Sequence, residues 1–155
     1  MAVQDFLFRD SQCVAGFDGR ASTRTGTTLS NPVDGSGQFL AVVLSTSSGR
    51  TVALPATGGS SGVAIYGVLQ NKPQIGISAD VGVLGYSKCI AGASIALGAE
   101  FMTSSTAAGT MVTYSTASGA GCVRVGLAIE AAAAGQIFTG RLYGVGVGAP
   151  TQSSA

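Results

Sequence analysis

Short runs of apolar residues, many alternating with polar or small ones, recur along the chain and are separated by turn-forming residues. Residues 38–44 (QFLAVVL) form an apolar, β-branched run, and TVAL follows at 51–54 after an STSSGR turn. Together they predict a hairpin over 38–54. Residues 63–70 (VAIYGVLQ) predict a strand with a glycine inside it, ended by Asn71-Lys72-Pro73. In 75–84 the apolar Ile75, Ile77, Ala79, Val81 and Val83 alternate with Gly76, Ser78, Asp80 and Gly82, the period of a half-buried strand. Further strands are predicted over 85–90, 100–104, 110–114, 122–129 and 137–147, with a turn at 91–93 before SIA. Only Ala131–Ala134 has helical propensity, one turn long and stopped by Gly135.

Eight to ten short strands at intervals of about 8 to 12 residues predict an all-β fold, a small curved barrel or sandwich. Gly67, Gly126 and Gly144 stand inside predicted strands, where glycine marks a bend or a close backbone approach. Glycine does not recur every third residue, and no fixed-period repeat is present, so collagen and solenoid architectures are set aside. Residues 1–30 read differently: polar, with Phe6, Leu7, Phe8 and Phe17 set among charges of both signs. This pattern predicts an extended N-terminal arm that docks on a partner through its aromatic side chains. Residues 31–150 then form the barrel-like domain, with the hairpin at 38–54 and the core at 62–147. Residues 56–62 (ATGGSSG) read as a linker, and 151–155 as a flexible tail.

Charge changes this picture most. Eight basic and seven acidic residues make only 10% of the 155 residues charged, and eight of those fifteen fall within the first 50. A surface with so few charges is poorly protected against association, so the body is expected to meet other protein. No charge field exists to hold nucleic acid, because Asp5, Asp10, Asp18 and Asp34 offset Arg9, Arg20, Arg24 and Arg50. These arginines read as partners for carboxylates on another protein. No window gives the roughly 20 apolar residues of a membrane helix, and the aromatic girdles of a membrane barrel are missing.

Enzyme chemistry finds little material. The chain has no His, so His-based acid–base catalysis and His metal ligation are absent. Cys13, Cys89 and Cys122 match no metal or redox spacing and read as reduced thiols of a protein made in a reducing cytoplasm. The glycine strings at 58–62 and 144–148 lack the residues and the following helix of a phosphate cradle. An enzyme would need two of Asp80, Glu100 and Glu130 in one pocket. Glu130 is expected at a strand end, opposite a cation such as Arg124 or Lys88. No catalytic, cofactor-binding or metal-ligating residue is assigned. Tyr66, Tyr86, Tyr114 and Tyr143 would serve a carbohydrate- or receptor-binding module if they clustered on the surface.

Three segments carry a family resemblance: GVLQNKP at 67–73, GYSKCIAGASIALGAEFMTSSTAAG from Gly85, and GLAIEAAAAGQIFTGRLY from Gly126. In order and spacing they resemble a family of tailed-phage capsid decoration, or cement, proteins. The likeness covers about half the chain. Glu100 stands where that family usually has Asp, and the stretch after Met102 is more Ser/Thr-rich. The resemblance implies a β-rich structural protein without enzymatic activity or cofactor, bound to the major capsid protein on the outer surface of the phage head. It also implies self-association as a homotrimer and turns at 70–73, 91–92 and 130–132. The arm lies outside the likeness. Its candidate capsid contacts, read from the residues alone, are Phe6, Leu7, Phe8, Arg9, Phe17, Arg20 and Arg24. A tail or head–tail joining component is the related alternative.

Overall fold

The computed structural model describes residues 12–17, 38–44, 51–55, 64–72, 78–116 and 122–144. They form ten strands and no α-helix: β1 (Gln12–Phe17), β2 (Ala41–Leu44), β3 (Thr51–Ala53), β4 (Gly67–Leu69), β5 (Ser78–Gly82), β6 (Gly85–Ile90), β7 (Glu100–Thr103), β8 (Met111–Thr113), β9 (Gly126–Ala128) and β10 (Ile137–Leu142). The fold is all-β, with one strongly curled sheet and a second five-stranded sheet.

The first sheet has the order β1-β3-β2-β4-β5 and closes on itself, because β1 also pairs with β5. β2 and β3 are antiparallel, with Val43 opposite Ala53. β1 runs parallel to β3, with Phe17 opposite Val52, and antiparallel to β5, with Cys13 opposite Val81. Thus six residues of the stretch read as an arm belong to the sheet. The sheet also takes strands from both sides of residues 56–62, since β2 pairs with β4. Residues 56–62 themselves, read as a linker, lie outside the described residues.

The second sheet has the order β6-β10-β9-β7-β8, with all four pairings antiparallel. A parallel bridge from Ala91, just past β6, to Met111 on β8 brings its two edges toward each other. Ala131–Ala134 is not helical. Ala132 exchanges two backbone hydrogen bonds with Ile95 (2.8 and 2.9 Å), and Gln136 N–H donates to Ala133 O, closing a turn. The alanines' helix propensity, small over one turn, is outweighed by cross-strand pairing.

β2 and β4 form the wall between two cores. Ala41 and Val68 face a cluster with Cys89, Ile95, Phe101, Met111 and Phe138. Val42 and Leu69 face the other way, toward Leu40, Val52, Leu54 and Val81. Strands buried on both faces read as unbroken apolar runs, which is why 38–44 shows no alternation. Polar groups tie the sheets together. Gln70 Nε2 donates to Val68 O (2.9 Å) and to the hydroxyl of the buried Ser87 on β6 (2.9 Å). Phe39, at φ 67, donates its N–H to Leu69 O, and its carbonyl accepts from Ile90 N.

In the core under the second sheet Phe101 meets Phe138 edge-on, with ring centroids 5.2 Å apart at 88°. The Phe101 ring lies over two glycines. A Cβ on Gly140 would sit 2.7 Å from two of its ring carbons, and one on Gly126 would sit 2.7 Å from Cζ and against Arg141 O. Here glycine inside a strand serves close approach, as the sequence pattern predicts for Gly126.

Candidate functional site: the outer face of the second sheet

The alternation of β6, β10 and β9 separates two faces. Ser87, Cys89, Phe138, Gly140, Leu142, Gly126 and Ala128 are buried. Tyr86, Lys88, Ile137, Arg141 and Ile129 point out and are exposed, with Leu127 and Thr139 partly so. Register aligns this outer face into rows. Tyr86 lies opposite Arg141, Arg141 opposite Leu127, and Leu127 opposite Glu100, so one row crosses four strands. In the next row Lys88 lies opposite Thr139, and Ile90 opposite Ile137 follows. Tyr86 is 61% and Ile137 52% exposed, high values for large apolar side chains within a sheet.

The acids on this face are engaged within the protein. Glu100 forms an ion pair with Arg124 (3.2 Å) and accepts a hydrogen bond from Tyr143 Oη (3.3 Å). The Arg124 guanidinium lies 4.7 Å from the centre of the Tyr114 ring, a cation–π distance. Burial first, then the Glu100 carboxylate, push the Tyr143 phenol above its ordinary pKa. Glu130 Oε2 accepts from the backbone N–H of Thr139 (3.0 Å), not from Arg124 or Lys88 as the sequence suggested. A carboxylate can satisfy a strand-end amide without a cation nearby.

The three carboxylates do not meet in a pocket among the described residues. Asp80 is on β5 in the first sheet; Glu100 and Glu130 are tied to separate partners on the second. An open depression of about 380 Å³ beside the Ile95–Ala132 bridge is lined by Ser94, Ala96, Ala131, Ala133 and Gln136, without a carboxylate. No group of three potential metal ligands occurs among the described residues. Cys89 is fully buried, and burial pushes its thiol up to about 12, so it is an inert core residue. The tyrosines are dispersed. Tyr66 packs against the first-sheet core, Tyr114 and Tyr143 are half-buried around Arg124 and Glu100, and only Tyr86 is exposed.

Of the expected partner contacts, Phe17 closes β1, with its backbone opposite Val52. Phe6, Leu7, Phe8, Arg9, Arg20 and Arg24 lie outside the described residues.

No family model and no curated protein matches the chain. Among solved structures it is similar to the N base of the head fiber protein gp8.5 of bacteriophage phi29, at 14% identity and a TM-score of 0.51. The match covers 84% of this chain and 92% of that one. The two share a fold. At this identity the likeness concerns the path of the backbone and assigns no residue a role.

The outer face of the second sheet was not singled out from the sequence. Its signal is present in the alternation of Tyr86, Lys88 and Ile90 and of Ile137, Thr139 and Arg141. Which half of each alternation faces water, and that β6 and β10 are neighbours, comes only from the pairing.

Proposed function

We propose that the chain is a structural, non-enzymatic protein of a phage virion, which binds the outside of the head as a decoration or cement protein and stabilises the mature shell. The observation that carries this reading is the likeness in fold, over 84% of the chain, to the N base of a phage head fiber. The motif order supports it independently. The segments AGASIALGA and EAAAAG, which resemble those of capsid decoration proteins, pair with each other through Ile95 and Ala132. Segments far apart in sequence but paired in space form one structural unit.

In this reading the low-charge domains associate around a symmetry axis as a homotrimer. The N-terminal segment contributes further contacts to the major capsid protein through Phe6, Leu7, Phe8, Arg9, Phe17, Arg20 and Arg24. Several weak contacts on one oligomer act by avidity. Stabilisation follows by mass action, because the protein binds the assembled shell and not its separated subunits. Phage heads prepared without the protein test this. Adding it back is expected to give co-sedimentation and a higher temperature of genome release. Failure to co-sediment refutes the head reading. A chain lacking residues 1–30 also loses β1, so the segment is tested by substituting Phe6 and Phe8 with Ser. Undiminished binding refutes their role.

A further inference from the structure

On the outer face of the second sheet, Lys88 and Arg141 stand on adjacent strands. Lys88 is opposite Thr139, so Arg141, two residues further along β10, is its diagonal neighbour, at a backbone spacing of about 7–8 Å. Both are exposed, and neither has an ion pair among the described residues. The carboxylates of this face make no ion pair with them among the described residues: Glu100 is held by Arg124 and Tyr143, and Glu130 accepts from the Thr139 amide. Around the two cations lie the exposed Tyr86, Ile129 and Ile137 and the half-exposed Leu127. Two like charges set side by side are unfavourable alone and become favourable when an external carboxylate sits between them. An apolar patch bearing a few charges has the anatomy of a protein–protein contact. Two cations amid apolar side chains are too few to track a nucleic-acid backbone.

We propose that this face is a docking surface for another virion protein that presents a carboxylate beside an apolar patch, with Lys88 and Arg141 as the paired cations and Tyr86, Leu127 and Ile137 as the apolar contact. A second copy joined two-fold through this face would set cations against cations, and the trimer contacts proposed above are assigned to other surfaces, so a different chain is the occupant proposed. The proposal rests on the virion reading above, and on the head in particular names the shell protein as the occupant.

The test compares wild type, the double variant Lys88→Glu with Arg141→Glu, Ile137→Ser, and Lys72→Glu as a control on an exposed residue away from this face. Each is checked first by thermal melting. Binding to heads lacking the protein is measured at low and at moderate salt, and copies per purified virion are counted after infection with phage encoding each variant. The double variant is expected to bind at least about tenfold more weakly and to lose most of the salt dependence. Ile137→Ser is expected to weaken binding about tenfold or less, and Lys72→Glu to match wild type. If the double variant binds heads as wild type does, the face is wrong while the head reading stands. Equal loss with Lys72→Glu also overturns it, since general charge would then be responsible. If wild type enters virions but not heads, the head reading fails, and the double variant's loss from virions still supports the face. If wild type enters no virion, both fall.

Discussion

Phe101 packs closely on Gly140 in the core under the second sheet, and this contact makes a sharp prediction. A Cβ at Gly140 would lie 2.7 Å from Cε1 and Cζ of Phe101 and 3.4 Å from Cε2 of Phe138. Unstrained carbon contacts lie near 3.5–4.0 Å, so the ring would have to retreat by about 1 Å in a core with no room. Elsewhere in a strand, Gly→Ala removes a weakness of about 0.5–1 kcal/mol. Here Gly140→Ala is expected to destabilise by about 1–3 kcal/mol. At Gly126 the obstacle includes the backbone oxygen of Arg141, which has no rotamer to change, so Gly126→Ala is expected to cost more. Phe101→Leu opens the space over Gly140, at a cost of about 1–2 kcal/mol when made alone. The double variant Phe101→Leu, Gly140→Ala should then be less destabilised than the sum of its parts, by about 1–2 kcal/mol. The same partner change should leave most of the Gly126→Ala penalty in place. Urea unfolding followed by far-ultraviolet circular dichroism measures this in a chain without Trp. Additivity within about 0.5 kcal/mol for the Gly140 pair, or equal rescue at both glycines, would refute the packing described.

Three further outcomes follow from the same contacts. Gln70→Ala removes both Nε2 bonds and leaves the buried Ser87 hydroxyl without this partner, so a loss of about 1–3 kcal/mol is expected, read as a lower urea midpoint at unchanged slope. The Cys89 thiol, at about 12 when folded against 9.0 as its ordinary value, holds its proton in the native state while the unfolded chain loses it. Its contribution is therefore present below pH 9 and falls away as pH rises from 9 toward 12. Midway between these values the slope is about 1.4 kcal/mol per pH unit, and the Cys89→Ala variant should lack it in parallel unfolding curves. Glu100→Gln removes a carboxylate that helps raise the Tyr143 phenol, so ultraviolet titration should show that tyrosine ionising at lower pH than in wild type. The ion pair to Arg124 is partly exposed, and its loss should change stability by no more than about 1 kcal/mol.

Much of this architecture is legible in the sequence because strands with one dry face alternate and strands with two dry faces do not. The runs at 38–44, 51–54, 85–90 and 100–104 contain β2, β3, β6 and β7. Gly126 was recognisable as a close approach, although the ring it accommodates was not. β1 escaped notice for a local reason: QCVAGF is short, carries a glycine, and sits between charged and turn-rich stretches, so its neighbours β3 and β5 determine it. Ala131–Ala134 misled for the opposite reason, a local propensity overruled by a partner about 37 residues away. The paired cations Lys88 and Arg141 are 53 residues apart and become neighbours only through the β6–β10 register. Charge counts along the chain direct attention to the crowded first 50 residues instead.

The most direct test of the central proposal is electron cryomicroscopy of heads lacking the protein, imaged with and without the purified chain. The account predicts added density outside the shell at symmetry-related positions, shaped as two sheets, with the β6–β10 face turned toward the capsid surface. Heads that bind nothing, or protein found only at the tail or the head–tail joint, would contradict it.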